Sequence, residues 1–153
     1  MNAGMRKAAL NAYGKQNLEA QVEAASPHRL ILMLFEGAIK SCHLAKIHMQ
    51  NGAIAEKGMA VSKAIAIIQE GLRLSLDKEQ GGELAANLDA LYEYMGRRLL
   101  QANLHNDPGI LDEVLTLLSG LKESWEQINP AQAAVQQTAP QSDRAAPLSY
   151  GRA

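Results

Sequence analysis

Histidine is the side chain here best suited to chemistry near neutral pH, because its unperturbed pKa is about 6.5. The four histidines, His28, His43, His48 and His105, are scattered along the chain. Only His43 has a suggestive neighbour, since Lys46 would lie one turn further along the same helix face. An ammonium group there could neutralise a phosphoryl group carried by the imidazole. The pair therefore raises phosphoryl transfer through His43 as a hypothesis.

Histidine phosphotransfer domains are four-helix bundles that use such a histidine and lysine pair. They usually place a glycine next to the lysine, but Ile47 occupies that position here. A bulky side chain would obstruct an approaching phosphodonor domain, and this spacing often arises by chance. The pattern favours a solvated helix face. Phosphotransfer through His43 stays as the alternative function.

Other catalytic and metal-binding motifs are not found in the sequence. A di-iron site in a bundle uses Glu-x-x-His pairs, and no glutamate here is followed three residues later by histidine. Gly81-Gly82 lacks the lysine and spacing of a phosphate-binding loop. Cys42 is the single cysteine, which excludes an intramolecular disulfide and a cysteine metal cluster. We therefore expect no catalytic residue, no cofactor and no metal, and predict that the chain is not an enzyme.

The composition favours an all-α protein. Hydrophobic residues make up 47% of the 153 residues but aromatic residues only 4%, so Leu, Ile, Met, Val and Ala must build the core. A net charge of -1 gives no bulk attraction to nucleic acid or to an acidic membrane. The first residues form no apolar signal-peptide region, and no apolar run approaches the roughly 20 residues of a membrane span. We expect a cytoplasmic protein without membrane insertion or nucleic-acid binding.

Cap and break signals divide the chain into four long helices. Ser26-Pro27 and Asn106-Asp107-Pro108 place capping side chains before a proline, whose missing N–H costs nothing in the first helical turn. Asn51-Gly52 and Asp77–Gly82 interrupt the pattern, and Asn129-Pro130 ends it. The predicted helices run from Ser26 to Met49, about Ala53 to Leu76, Glu83 to His105, and Pro108 to about Ile128. Short connections make consecutive helices antiparallel, which predicts an antiparallel four-helix bundle.

Each predicted helix carries an apolar stripe at three- and four-residue spacing that can face a common core. The four stripes are Ile31, Phe35, Ala38, Cys42, Ala45 and Met49; Ile54, Val61, Ile65, Ile68 and Leu72; Leu84, Leu88, Leu91, Met95, Leu99 and Ala102; and Leu111, Val114, Leu118, Leu121, Trp125 and Ile128. We predict residues 26–129 to form the bundle. Residues 130–153 lack apolar periodicity and are predicted to be a disordered tail.

Apolar and small residues also lie outside the core stripes of three helices. Contiguous apolar surface usually marks a binding groove, and a groove between helices receives partner helices. In the N-terminal segment, residues 1–25, Leu10 and Tyr13 could cap this groove while it is empty. The candidate partner-binding residues are Leu10, Tyr13, Leu30, Met33, Leu34, Ala60, Ala64, Ile67, Gly71, Leu74 and Tyr92. An uncovered groove could also pair with a second copy, as a weak homodimer.

Several blocks of the sequence, in this order, resemble the FliS family. They are "NAY" from Asn11 to Tyr13, "ASPHRLILMLFEGAI" from Ala25 to Ile39, "KGMAVSKAIAIIQEGLRLSLD" from Lys57 to Asp77, "GGELAANLDALYEYMGRRLLQAN" from Gly81 to Asn103, and Trp125. Relatives commonly show tyrosine and aspartate at the positions of Phe35 and Glu36, which puts local hydrogen bonding in doubt more than function.

The resemblance implies a cytoplasmic chaperone of bacterial flagellum biogenesis, active in type III protein secretion. Such a chaperone binds the disordered C-terminal segment of flagellin as helices around a four-helix bundle, without ATP. It thereby prevents premature polymerisation and keeps flagellin competent for export. The resemblance also implies that Asn11, Ala12 and Tyr13 lie near the groove and move on binding. Further partners implied by the family are the flagellar export gate and regulatory factors.

Overall fold

The structure, a computed structural model, describes residues 25–128 and, ahead of them, Gly4, Met5, Lys7 and Ala8. Its helices are α1 (Pro27–Gln50), α2 (Ile54–Ala66), α3 (Lys78–His105) and α4 (Pro108–Glu126). Helix α2 continues directly into a π-helix, Ile67–Arg73, which we call the π segment. Residues 130–153 and most of 1–25, including Leu10 and Tyr13, lie outside the described residues.

Side-chain caps start three of the four helices, and the caps of α1 and α4 are the predicted ones. The Ser26 hydroxyl accepts a hydrogen bond from the Arg29 amide at 3.1 Å, and Pro27 follows it. The Asp107 carboxylate accepts from the Gly109 amide at 2.9 Å, again with a proline next in the chain. Asp77 caps α3 in the same manner. These side chains satisfy amide donors that have no partner within the helix.

The four helices form a ring in which α1 and α3 each pack against both α2 and α4. Lys46 near the end of α1 reaches Asp112 near the start of α4, with 2.8 Å between Nζ and Oδ1. Lys57 near the start of α2 donates to the Asn103 carbonyl near the end of α3 at 3.0 Å. Both pairs join a helix start to a helix end, so neighbouring helices are antiparallel. The predicted all-α four-helix bundle is confirmed.

Two predicted helix boundaries differ in detail from the structure. A first helical turn of α3 begins at Lys78, because the Asp77 carboxylate accepts from the Glu79 and Gln80 amides, and the long part of α3 begins after Gly82, as predicted. The break predicted near the paired glycines is present, but as a kink at Gly82, whose φ of 54° is unfavourable for residues with a Cβ. The second helix does not reach Leu76 as an α-helix, since its last seven residues form the π segment.

Most of the predicted stripe residues form one buried core. Its fully buried members from the stripes are Ile31, Phe35, Ala38, Cys42, Ala45, Val61, Ile68, Leu72, Met95, Leu99, Ala102, Leu111, Val114, Leu118 and Trp125. Ile54 and Leu84 are exceptions, with 71% and 57% of their surface exposed. Ile54 is the first residue of α2 and Leu84 follows the kink at Gly82, so both lie at ends of the bundle. Within 25–128, no helix combines the length and hydropathy needed to span a bilayer.

A reciprocal clasp joins the start of α1 to the end of α4. The Trp125 indole N–H donates to the His28 carbonyl at 3.0 Å, and His28 Nε2 lies 3.0 Å from the Trp125 carbonyl. Because a carbonyl only accepts, Nε2 must be the donor of the second bond. The two rings stack with centroids 4.9 Å apart and planes inclined by 16°. The clasp therefore combines two long-range hydrogen bonds with an aromatic contact.

Replacing Trp125 with phenylalanine should lower the free energy of unfolding by about 1–3 kcal/mol, because it removes the indole donor and part of the buried ring. Urea denaturation followed by circular dichroism measures this. The control is His43→Gln, which alters an exposed imidazole further along α1 and should leave the midpoint unchanged. Equal midpoints for Trp125→Phe and wild type would contradict the importance of the clasp.

Candidate partner-binding surface

The described N-terminal residues lie on a surface formed by α1 and the π segment. Met5 and Ala8 are only 2% and 6% exposed and belong to the core cluster. A Cβ built on Gly71 would lie 3.2 Å from the Cβ of Ala8 and 2.9 Å from Cδ2 of Leu34. Ala8 also lines a cavity of about 320 Å³ together with Ile67. We call the surface formed by Leu34, Ile67 and Gly71 the seat.

The seat has an apolar floor and a charged margin. Leu34, Ile67 and Gly71 are all buried, and Ala8 lies close to Gly71 and Leu34. Two exposed charged residues, Lys63 of α2 and Glu70 of the π segment, also line the cavity beside Ala8. An amphipathic helix fits such a surface, because its apolar face meets the floor while its polar face remains in water.

The candidate partner-binding residues occupy several different environments. Leu34, Ile67 and Gly71 meet at the seat. Leu74 is 70% exposed and follows the π segment directly, whereas Ala60 is half-buried. The other described members are buried in the core: Leu30, Met33, Ala64 and Tyr92. Their spacing placed these residues outside the predicted core stripes. On α1 the buried surface is wider than a single stripe, because Leu30, Met33 and Leu34 are buried as well as the stripe residues.

A polar network on the opposite side of the π segment attaches it to α3. The Gln69 amide donates to the Tyr92 carbonyl at 3.0 Å, and its oxygen accepts from Arg73 at 2.8 Å. Arg73 also makes a two-pronged contact with Asp89, at 2.8 Å and 3.3 Å. The Gln69 amide lies over Gly96, where a Cβ would be only 2.6 Å from its nitrogen. The network holds the segment that carries Ile67 and Gly71.

The sequence reading missed this network. Gln69 and Arg73 stand four residues apart, which is an ordinary spacing for two polar residues on a helix surface. Gly96 could have raised suspicion, because glycine inside a helix costs about 1 kcal/mol relative to alanine and needs a packing reason. No residue pattern marks the π segment itself.

A second cleft, of about 1020 Å³, lies between α1 and α4 and includes His43 in its lining. Glu36 and Glu126 also line it. Burial raises the pKa of Glu36, opposed by the charge of Lys122 and supported to a smaller extent by the charge of Glu126. His43 is exposed, but Lys46 is engaged with Asp112 on α4. The lysine that phosphotransfer would require already serves as a helix-to-helix contact.

Exposed large apolar side chains are concentrated at one end of the bundle. This is the end where α1 connects to α2 and α3 connects to α4. Its exposed members are Leu44, Ile47, Ile54, Met59, Leu100 and Leu104. Leu74 and Leu84 are exposed at the opposite end.

Comparison with known proteins identifies the family. A family model described as "Flagellar protein FliS" matches residues 9–132. The chain belongs to the FliS family. It is 50% identical over 121 residues to the flagellar secretion chaperone FliS of Salmonella typhimurium, covering 79% of this chain and 90% of the relative.

Two further relatives carry the same kind of name. The chain is 49% identical over 121 residues to the flagellar secretion chaperone FliSB of Pseudomonas aeruginosa, covering 79% of this chain and 95% of the relative. It is 43% identical over 124 residues to the flagellar secretion chaperone FliS of Vibrio cholerae, covering 81% and 90% respectively. Chaperone is a non-enzymatic role, so the family confirms the prediction that the chain is not an enzyme.

The Arg73–Asp89 contact beside the seat should make stability depend on pH. The hydrogen bond from Arg73 lowers the pKa of Asp89, helped by the charges of Arg73 and Lys78 and opposed by desolvation. The folded-state pKa lies below the unfolded value of about 3.9, so the stabilisation is present above that value and disappears as pH falls through the folded pKa. Asp89→Asn should therefore lower the urea midpoint at pH 7, and its difference from wild type should shrink below about pH 4.

The matched control is the same substitution in an Arg73→Gln background, where Asp89→Asn should have a smaller and less pH-dependent effect. A difference between wild type and Asp89→Asn that stays constant from pH 7 to pH 3 would contradict this coupling.

Proposed function

We propose that this chain is a cytoplasmic flagellar secretion chaperone that binds the disordered C-terminal segment of flagellin in a hydrophobic groove centred on the seat. Membership of the FliS family and the names of the relatives support the chaperone role. The observation that carries the proposal is the burial of Met5 and Ala8 in the core cluster, with Ala8 packed beside Leu34 and Gly71. A segment of this chain already lies where a partner helix would lie.

The N-terminal segment acts as a replaceable occupant of the groove. Met5 and Ala8 cover apolar surface that would otherwise face water, which reduces self-association of the empty chaperone. Flagellin then binds by exchange, and its helix buries the surface that the N-terminal segment releases. Leu10 and Tyr13 belong to the same proposed cap.

Exchange gives the candidate site residues different roles. Leu34, Ile67 and Gly71 contact flagellin once the N-terminal segment has left. Leu74 is already exposed and provides contact without rearrangement. The remaining residues of the proposed binding set are Leu30, Met33, Ala60, Ala64 and Tyr92. Those buried deepest in the core support the groove from below.

Coupled folding and binding accounts for chaperone action without ATP. A disordered flagellin segment can cover a large surface, while the entropy lost on ordering offsets much of the contact free energy. The complex therefore forms in the cytoplasm, where covering this segment prevents premature polymerisation. It can also release flagellin in an unfolded, export-competent form.

Additional partners follow from the family rather than from a particular contact. We propose the flagellar export gate and regulatory factors as secondary partners. A weak homodimer would use the same apolar groove, so flagellin should compete with it. Phosphotransfer through His43 receives no support from the geometry, because Lys46 is paired with Asp112.

Isothermal titration calorimetry of the full chain with the C-terminal segment of flagellin from the same organism tests the proposal. We expect a one-to-one complex with a large negative heat-capacity change between two temperatures, because apolar burial is coupled to folding. The control is the same flagellin segment with its apolar residues replaced by serine, which should not bind. No heat and no complex in gel filtration would refute the proposed partner.

Unseating the N-terminal segment should tighten flagellin binding. Met5→Asp places a carboxylate where a buried methionine lies, and this favours the open groove. If the segment occupies its seat about nine-tenths of the time, the apparent dissociation constant should fall roughly tenfold. Calorimetric titration of each variant with the flagellin segment measures the change.

Lys7→Gln is the matched control for Met5→Asp. It changes the net charge by the same amount, but Lys7 is exposed on the same helical turn. Its affinity should equal that of wild type. Unchanged or weaker binding by Met5→Asp, with the bundle still folded by circular dichroism, would show that the N-terminal segment does not compete with flagellin.

A further inference from the structure

The N-terminal residues present a specific pair of side chains to the seat. Met5 and Ala8 have helical backbone conformation and are three residues apart, so they share one face of a helix. Both are buried, whereas Gly4 and Lys7 are exposed. The face that meets the bundle therefore consists of a large, unbranched apolar residue followed three positions later by a small one.

The small residue is required by the close approach at Gly71. The position of a Cβ on Gly71 lies 3.2 Å from the Cβ of Ala8, which is shorter than an ordinary carbon contact. The two methyl groups of Leu34 lie 2.9 Å and 3.2 Å from the same position. A Cβ on Gly71 would therefore force Ala8 and Leu34 to shift, and the Cβ of Ala8 already lies close to the Gly71 backbone. Small residues on both sides are what allow two helices to approach so closely.

The four-helix bundle, rather than the helix bound to it, determines how closely that helix can approach Gly71. Leu34 is fully buried in the core. The π segment that carries Gly71 is attached to α3 through Gln69 and Arg73, which bond to the Tyr92 carbonyl and the Asp89 carboxylate. An incoming helix therefore meets a surface fixed from below. To bury a large residue where Met5 lies, the helix must also fit the restricted space above Gly71.

We infer that the flagellin helix that replaces the N-terminal segment carries the same pair, a large apolar residue followed three positions later by alanine, glycine or serine, with the small residue packed on Gly71. This inference rests on the proposed function and adds a sequence requirement for the bound segment. Recognition at the seat selects for small size at one position, in addition to general hydrophobicity.

The first test substitutes the glycine of the seat in the full-length chain. In the Met5→Asp background, where the N-terminal segment no longer competes, Gly71→Ala should weaken binding of the flagellin C-terminal segment by about tenfold or more, because overpacking forces the two helices apart. Gly58→Ala in the same background is the matched control, since Gly58 lies on α2 and a Cβ there meets no atom within 4 Å. Its affinity should equal that of Met5→Asp alone. Circular dichroism and urea midpoints verify that both variants remain folded.

The second test identifies the flagellin residue that packs on Gly71, by finding a second substitution that restores binding to Gly71→Ala. Each alanine and serine of the flagellin segment is replaced by leucine, one at a time, and binding is measured by calorimetry. One position, three residues after a large apolar residue, should lose binding. Shortening that residue to glycine should restore much of the affinity of Gly71→Ala, because it removes the methyl group that collides with the new Cβ. Substitution to glycine at other alanines should give no rescue.

The same packing rule can be measured without flagellin. Ala8→Leu should increase hydrogen exchange over residues 1–16 of the full chain, because the larger side chain cannot pack on Gly71. Ala8→Gly should partly restore the protection lost in Gly71→Ala. Unchanged protection in Ala8→Leu would overturn the crossing geometry itself.

The outcomes separate this inference from the proposed function. If wild type does not bind flagellin, the proposed partner is wrong, and with it the requirement placed on flagellin. If wild type binds but Gly71→Ala does not weaken binding in the Met5→Asp background, or if leucine is tolerated at every small position, the chaperone role stands and the inference is overturned.

Discussion

Helix α1 must be buried on several sides at once, and the arrangement of the rest of the molecule depends on this. One side packs against α2, another packs against α4, and Leu34 lies beneath the N-terminal residues. A helix in an isolated four-helix bundle needs only one apolar stripe. The run from Leu30 to Phe35 therefore has no excess of apolar residues. It is the sequence of a helix that also contacts a fifth, N-terminal segment.

The π segment provides two faces with different chemistry at the candidate binding surface. A π-helix contains an additional residue in its turn, and such segments often occur at functional sites. Here one side of the segment directs Gln69 and Arg73 toward α3, while another presents Ile67 and Gly71 to the N-terminal residues. A single short element thus has a polar attachment and an apolar receiving surface. The attachment gives the seat a defined shape before any partner arrives.

Local signals in the sequence were sufficient to predict the bundle. Ser26 and Asp107 act on amides two or three residues away, so their effects can be read without knowledge of the tertiary structure. The core stripes were also readable, because helical spacing brings their members to one face. Ile54 and Leu84 fit the same spacing but are exposed. Periodicity indicates on which face of a helix a residue lies. It does not indicate whether another helix covers that face at the residue's position along the helix.

The seat could be predicted only in part. Ile67 and Gly71 were identified by their position outside the core stripe, and Leu34 by the wide apolar character of α1. The sequence could not show that Met5 and Ala8 cover them, because this depends on a contact between regions more than 60 residues apart in the chain. The network formed by Gln69, Arg73 and Asp89 was missed for a similar reason. Each residue is ordinary for a solvated helix face, and only the fold brings them together.

A replaceable internal segment suits a chaperone that must both protect and release its client. If the empty groove faced water, its apolar surface would favour self-association. If flagellin had only to cover exposed surface, the full hydrophobic gain would oppose release. In the proposed exchange that net gain is smaller, because Met5 and Ala8 cover the surface in one state and flagellin covers it in the other. Affinity then depends on the difference between two similar occupants. A change in packing at Gly71 that affects both occupants equally leaves this equilibrium unchanged. The equilibrium therefore responds to the features in which the two occupants differ, while both states preserve the same four-helix core.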